Sequence, residues 1–373
     1  MSESLPPELR RVVIIGTGLI GTSIALALRE RGADVLLSDR DAASVRLAVE
    51  LGAGSALPAG DRQSGPAGLA VLAVPPGAVA ATLRDAQKRG LAHSYTDVAS
   101  VKAFPLAEAA ELGCDLESFV AGHPLAGRER SGPAAARADL FLGRPWALCP
   151  APESSAEVVS AATALARACG AEPIIVDAAE HDRAVALVSH APHVVAAAMA
   201  ARLGDGSDVA LGLSGQGVRD VTRIAAGDPQ LWTGILGANA EPVADVLDAV
   251  ATELTMAASA LRTGAAAGSS AGRAAAGPVA DLLRRGNTGQ AKIPGKHGGR
   301  QSSYAIVPVL IPDRPGELAL LFQAAGVAGV NIEDVSIEHS PGRPMGVIEL
   351  SVQPAAAQRL AEELRSRGWS IPG

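Results

Sequence analysis

The spacing of apolar residues changes along the chain and divides it into regions of different architecture. Residues 11–22, Arg-Val-Val-Ile-Ile-Gly-Thr-Gly-Leu-Ile-Gly-Thr, begin as an apolar strand and run straight into glycines, and a helical pattern follows over Ser23–Arg31. Short apolar runs then recur at Asp34–Ser38, Leu69–Val74, Ser94–Val98, Phe119–Ala121, Pro145–Cys149 and Pro173–Val176, with helical stretches between them. Strands alternating with helices predict a doubly wound, mainly parallel α/β sheet. From Asp177 the pattern becomes long, alanine-rich and helical, opening on the capping-box sequence Asp177-Ala178-Ala179-Glu180. Thr263–Pro278 is rich in Gly, Ala and Ser and reads as a flexible segment or interrupted helix, Asp281–Arg285 as a short helix, and Gly295–Arg300 as a basic, glycine-rich tether. Period two returns near the C-terminus. Tyr304–Pro312, Asn331–His339 and Met345–Gln353 read as strands, with a turn at Ser340–Pro344. Helices follow Arg314 and span Pro354–Arg367, and Trp369–Ile371 reads as a last strand, giving the β-α-β-β-α-β order of a ferredoxin-like α+β domain. The expected domains are 1–177, 178–286 and 304–373, with a linker at 287–303.

Composition narrows the function classes. The 373 residues are 48% hydrophobic but only 2% aromatic, so the core is aliphatic and few rings are available to stack on bases. A net charge of −7 without long basic runs argues against a nucleic-acid partner, and an anionic substrate must be held by individually placed cations. Cys114, Cys149 and Cys169 are odd in number and lack metal-ligand spacing, which fits buried thiols in a reducing cytoplasm and no metal site. Residues 1–10 lack an apolar signal core, and no run of about 18 apolar residues is evident, so neither secretion nor membrane spanning is expected.

Chemistry enters at the strand ends. Gly16, Gly18 and Gly21 form G-x-G-x-x-G between a strand and a helix, with Leu19 and Ile20 inside the motif. In that context the helix N-terminus offers free amides to a pyrophosphate, which predicts a Rossmann-like dinucleotide site. Asp39 closes the next strand at about the 20-residue interval expected of a ribose-binding carboxylate, and it favours NAD over NADP. Arg40 beside it is the feature that argues the other way, and Val74, ending a further strand, belongs to the same predicted site. In Ala121-Gly122-His123-Pro124, the glycine and proline are expected to end the strand, leaving His123 at the C-terminal edge where ligands bind. It reads either as an acid or base, or as a turn cap. Ser100 reads either as a donor to substrate or imidazole, or as the N-cap of a helix over Val101–Leu112. In the helical region His190 and His193 share a face, whereas His181, nine residues before His190, is expected on the opposite side, and Pro192 is expected to kink the helix. Arg219 and Arg223 stand at i, i+4 and either bind carboxylates or form a solvated face, with Gly227-Asp228-Pro229 and Trp232 close behind.

Taken together, Gly16–Gly21, Asp97–Lys102, Gly122-His123-Pro124 with Ala126-Gly127 and Ser131-Gly132, Ser189–His193 and Thr222–Ala225 resemble the prephenate/arogenate dehydrogenase family over nearly the whole chain. The resemblance implies NAD-dependent oxidative decarboxylation of prephenate to 4-hydroxyphenylpyruvate in tyrosine biosynthesis. It makes His123 the base, Ser100 the residue orienting it, and Arg223 the holder of a substrate carboxylate. His193 and, less closely, His190 and Arg219 line the cleft, Glu129 lies near its mouth, and Arg128 bears on the choice between prephenate and arogenate. It also implies a homodimer formed through the helical domain. Asp313–Leu318 and Gly329–Ile332 resemble an ACT domain, which places Asp313, Pro315, Gly316, Asn331 and Ile332 at a regulatory site for an amino acid, here tyrosine. The alternatives are an arogenate dehydrogenase, a non-catalytic dinucleotide-sensing regulator, or a C-terminal domain that only adds dimer contacts. A β-hydroxyacid dehydrogenase is disfavoured because no lysine occurs between Ala103 and Ala291 to serve as its catalytic residue.

Overall fold

The computed structural model describes residues 5–58, 65–127, 130–266, 268–293, 304–339 and 345–372, in two compact units, Met1–Val250 and Ala251–Gly373. The N-terminal unit is built on β1 (Arg11–Ile15), α1 (Leu19–Glu30), β2 (Asp34–Ser38), α2 (Ala42–Glu50), β3 (Ser55–Ala56), β4 (Ala67–Leu72), α3 (Val79–Arg89), β5 (Ala92–Asp97), α4 (Ala103–Glu111), β6 (Phe119–Pro124), β7 (Pro145–Pro150), α5 (Ala156–Ala168) and β8 (Glu172–Ile175). Its eight strands lie in the order β3-β2-β1-β4-β5-β6-β7-β8, parallel except for the antiparallel pair β6–β7. Strand order reverses between β1 and β4, the crevice where such sheets bind ligands. Buried Val12, Ile14, Leu69, Val71, Leu37 and Val120 pack one core cluster, and Val13, Ala70, Leu72, Leu83, Phe119 and Ala121 pack another. Alternate residues of each strand thus serve opposite faces.

Helices follow: α6 (Ala178–Val185), a π-helical turn (Ala186–His190), α7 (Ala191–Gly204), α8 (Asp208–Gly212), α9 (Gln216–Thr222), a 3₁₀ turn (Arg223–Ala226), α10 (Pro229–Ala238) and α11 (Ala240–Ala266). Asp177 caps α6 as its sequence predicts, accepting from Ala179 and Glu180 amides at 2.9 and 3.0 Å. Ala178–Gly204 forms a 27-residue helical stretch that is long and apolar enough, by length and composition alone, to cross a membrane. Its alanines and valines supply that hydropathy, yet the same stretch carries buried His181, Asp182, His190 and His193. Leu187, Val188, Met199, Val209 and Leu213 of this helical region are exposed in the single chain.

In the C-terminal unit the described part of Thr263–Pro278, read as a flexible segment or interrupted helix, is helical: α11 carries it to Ala266, and α12 (Gly268–Gln290), with Pro278 inside it, takes in the rest together with the expected short helix. Arg285 ties α12 to α11 through two 2.8 Å bonds to Glu253, so a contact distant in sequence extends a helix that local composition disfavours. Strands β9 (Ala305–Pro312), β10 (Ile332–His339) and β11 (Met345–Val352) form an antiparallel sheet in the order β10-β11-β9, with α13 (Glu317–Val327) and α14 (Pro354–Ser366). The expected last strand reduces to a single bridge between Leu310 and Ser370. The predicted turn at Ser340–Pro344 and most of the predicted linker lie outside the described residues.

Candidate active site

The glycine turn after β1 is shaped by its neighbours on two sides and open on the third. Gly16 has φ +106°, and a Cβ there would strike the Ala73 carbonyl beyond β4. At Gly21 a Cβ would strike the Gly16 carbonyl, which is how α1 comes to sit tightly on the turn. At Gly18 a Cβ would meet nothing within 4 Å. Protein packing therefore explains two of the glycines and leaves open space above the third. Gly18 caps α1 without any side-chain bond, and no acidic residue occupies the first turn, so the positive end of the helix is left for an anion. Leu19 and Ile20 are half-buried beside it, and Val74 is half-buried at the end of the neighbouring strand. Asp39 lies across the turn. Its carboxylate accepts from the Thr17 amide at 2.6 Å and the Thr17 hydroxyl at 3.1 Å, which fixes it at the end of β2, while Arg40 is exposed. These residues fit a dinucleotide: amides for the pyrophosphate, clearance over Gly18, and a carboxylate for the ribose hydroxyls.

The second part of the site corrects the reading of β6. The strand does not stop before His123 but continues to Pro124, because His123 pairs with Ala147 and Pro124 with Trp146 of antiparallel β7. On its other side β6 pairs with β5 only at Tyr95–Phe119 and Thr96–Val120. Beyond Val120 the two strands part, and the peptide groups of Gly122 lose a ladder partner. Side chains replace it. Asp97 accepts from the Gly122 amide at 3.0 Å, and Lys102 donates to the Gly122 carbonyl at 2.6 Å. Lys102 also pairs with Asp97, and both are fully buried. A Cβ on Gly122 would lie 2.8 Å from the Asp97 carbonyl, so the clamp needs glycine there. The loop holding Ser100 is therefore fastened at both ends to the strand carrying His123. Ser100 is not a helix cap: α4 starts at Ala103, and its first amides are capped by a distant carboxylate. Lys102 and Ala103 amides donate to Asp182 at 2.8 and 2.9 Å.

His181 is also placed differently from the helical-wheel expectation. Its Nε2 lies 2.9 Å from His123 Nδ1, and its Nδ1 lies 2.8 Å from Asp182 Oδ1. The π-helical turn that follows shifts the angular register, so that His190 and His181 both influence His123 rather than facing opposite ways. Burial, chiefly, and then the Lys102 charge and the two histidines hold His123 well below the ordinary histidine range, so it is neutral at neutral pH. His190 is held down to about 4, first by burial, although the Asp182 charge opposes this. Asn239 donates to the Asp182 carbonyl at 2.9 Å and lies 3.1 Å from His190 Nδ1. His193 is buried and stacks on Trp232 with ring centroids 3.6 Å apart, and burial lowers its pKa. Gly227 leaves room for that stack, since a Cβ would lie 2.9 Å from the His193 ring.

Arg219 and Arg223 do not lie on one continuous helix face, because α9 ends at Thr222 and Arg223 opens the 3₁₀ turn packed against α7. Both are exposed, and neither pairs with a carboxylate among the described residues. Arg128 and Glu129 lie outside the described residues. In the C-terminal unit Asp313, Pro315 and Gly316 form the exposed turn before α13, with Gly316 at φ +92°. Asn331 bonds Glu333 at 2.8 Å, and Ile332 packs against the core. Sequence reasoning gave no role to Asp97, Lys102, Asp182 or Asn239, and discounted His181. The available signal was apolar surroundings for Lys102 and Asn239 and a strand end for Asp97, whereas Asp182 stands in the charged run Glu180-His181-Asp182-Arg183 and carried none.

Residues 24–175 match the family model "Prephenate dehydrogenase, nucleotide-binding domain", and residues 177–268 match "Prephenate dehydrogenase, dimerization domain". A probable prephenate dehydrogenase of Streptomyces niveus, NovF, is 41% identical over 97% of this chain and 99% of its own. Among solved structures, arogenate dehydrogenase of Synechocystis is 27% identical with a TM-score of 0.61, over 76% of this chain and 99% of that one. Prephenate dehydrogenase of Aquifex aeolicus, in complex with hydroxyphenyl propionate and NAD+, shares the fold with a TM-score of 0.66 at 24% identity, over 76% of this chain and 98% of that one. With two consecutive domains matched and a relative similar from end to end, the chain belongs to the prephenate dehydrogenase family.

Proposed function

We propose that the chain carries out the oxidative decarboxylation of prephenate to 4-hydroxyphenylpyruvate with NAD, with His123 as the base. The observation that carries the assignment is His123 itself, a neutral imidazole on a strand whose backbone is clamped by a buried ion pair. NAD, when bound, supplies the hydride acceptor; Gly16–Gly21, the N-terminus of α1, Asp39 and Val74 are the residues that would hold it. Oxidation at the ring carbon bearing the hydroxyl requires that the hydroxyl proton leave as the carbonyl forms, and an unprotonated histidine accepts it. Loss of carbon dioxide then makes the ring aromatic, so the protein needs no further electron sink. Ser100, with no hydrogen-bond partner among the described residues, has its hydroxyl available to orient that exchange. Arg223, exposed and without a carboxylate partner among the described residues, is suited to a substrate carboxylate, with Arg219, His193 and His190 on neighbouring elements; Glu129, given a place near the cleft by the resemblance, lies outside the described residues.

The same reading extends to assembly and control. The exposed Leu187, Val188, Met199, Val209 and Leu213 give the helical region an apolar surface that a second copy would cover. A division at Asp177, with a helical domain through 286, suits that role. For the ACT assignment of 304–373, support comes from the β-α-β-β-α order and from the turn at Asp313–Gly316 before α13, where amides can receive an amino acid carboxylate. Tyrosine is the proposed ligand, acting as a feedback inhibitor. The test is product analysis with prephenate or arogenate and NAD or NADP, each with and without tyrosine. Stoichiometric NADH and 4-hydroxyphenylpyruvate from prephenate, suppressed by tyrosine, is the expected result. Tyrosine formed from arogenate in preference would move the enzyme to the amino substrate, and no turnover with either would overturn the reading. Calorimetry showing no tyrosine binding to the full chain would remove the regulatory part alone.

A further inference from the structure

We propose that His181, backed by Asp182, is a positioning residue that holds His123 in the one tautomer able to accept a proton from substrate. The inference rests on the reading of His123 as the base and adds to it which nitrogen reacts and why. An ionised carboxylate only accepts hydrogen bonds. Asp182 already receives the Lys102 amide on Oδ1 and the Ala103 amide on Oδ2, which pins it at the positive end of α4. Its Oδ1 lies 2.8 Å from His181 Nδ1, so that nitrogen carries the proton. In the opposite tautomer a lone pair would face a carboxylate at that distance. In that tautomer the His181 Nε2 is a bare acceptor, and this atom lies 2.9 Å from His123 Nδ1. His123 must donate there. A neutral His123 with its proton on Nδ1 has a free lone pair on Nε2, and that lone pair takes the substrate proton.

The order of the chain also serves the step that follows. When the hydroxyl proton reaches His123 Nε2, the O–H electron pair stays with oxygen to form the carbonyl. The imidazolium then keeps its Nδ1–H on a lone pair that has a carboxylate behind it. No heavy atom needs to move. His181 and Asp182 are each 3% exposed, so water does not compete for these bonds. Lys102 before α4 and His190 on the π-helical turn act on His123, while Asp97 on β5 and Asp177 at the cap of α6, together with Asp182, act on Cys149 of β7. Lys102 is an ammonium that only donates, to Asp97 and the Gly122 carbonyl, and burial, first of all, pushes the Cys149 thiol up to about 12, so neither supplies a charged acceptor to compete with His181 for the His123 proton. The arrangement uses the logic of a histidine oriented by a carboxylate in a catalytic triad, with a second imidazole interposed.

The test compares His181→Leu, which removes the acceptor, with His181→Gln, which sets a carbonyl oxygen near the position of Nε2. In the leucine variant kcat is expected to fall about 100-fold, with KM for prephenate and NAD within about threefold of wild type. Glutamine is expected to restore kcat to within about tenfold of wild type, which a purely structural role would not require. Unchanged kcat in the leucine variant overturns the inference, as does a glutamine variant no better than leucine. His123→Asn is measured beside them. If it retains turnover, the base assignment itself fails; if it collapses while His181→Leu does not, only the role of His181 fails. Should the leucine variant not fold, ¹⁵N NMR of the histidine rings in the wild-type protein decides. Protons on Nδ1 of both His123 and His181 are expected, and a proton on His123 Nε2 in the neutral protein overturns the proposal.

Discussion

The turn after β1 and the splayed edge of β6 both belong to the one sheet, and they are constructed from different materials. At the first, contiguous residues use backbone atoms: Gly16 and Gly21 are fitted against Ala73 and each other, and α1 presents unsatisfied amides. At the second, the backbone is short of partners, and Asp97, Lys102, His181 and Asp182 from separate segments make up the deficit. A nucleotide phosphate is a large, fixed anion that amides can meet without titrating. A proton acceptor must be neutral at working pH and held in one tautomer, which takes buried, charged and mutually bonded side chains. The difference shows why one half of the site is a local motif and the other a network.

Substitutions can break this contrast. The largest effect is expected from His123→Asn, lowering turnover by about two to four orders of magnitude with NAD affinity nearly intact, as steady-state kinetics and a binding titration would show. Next, Lys102→Met leaves Asp97 buried without its partner and is expected to destabilise the protein by about 3–5 kcal/mol in urea titration. Gly18→Ala is the opposite case: its Cβ enters open space, so stability should change by less than about 1 kcal/mol while NAD affinity falls. Arg223→Ala is expected to raise KM for prephenate about 10- to 100-fold with a smaller change in kcat, the loss of one charge-assisted carboxylate contact. A last test concerns pH and stability. His190 sits at about 4 in the folded chain against 6.5 for the ordinary side chain, so the unfolded state binds more protons between those values. Stability should therefore fall as pH drops from 6.5 toward 4, seen as a declining thermal midpoint, and His190→Asn should flatten that decline.

Legibility in the sequence followed the same division. The glycine motif, Asp39 and the strand–helix alternation are local patterns, and the structure reproduces them within a few residues. Gly122 and Pro124 misled because a strand's end was judged from its own residues, while the pairing that prolongs β6 comes from β7. His181 was assigned to the wrong side because an α-helical period was applied across a π-helical turn; the irregularity expected at Pro192 takes the form of that turn just before it, Ala186–His190. Ser100 was given a capping alternative that Asp182 takes instead, 80 residues beyond Lys102 in the chain. The long helix through Pro278 was obscured by its glycines and alanines, its support being Arg285 to Glu253.

The central claim is that a neutral His123 in a buried network accepts the substrate proton, and the pH dependence of kcat/KM for prephenate tests it most directly. Burial, Lys102 and the neighbouring histidines keep the free-enzyme imidazole unprotonated below the ordinary value of 6.5. Protonation inactivates it, so activity should be flat through neutral pH and fall on the acid side with a midpoint below 6.5. A midpoint at or above 6.5 would mean that the buried network does not hold the imidazole below its ordinary value, and would contradict the claim.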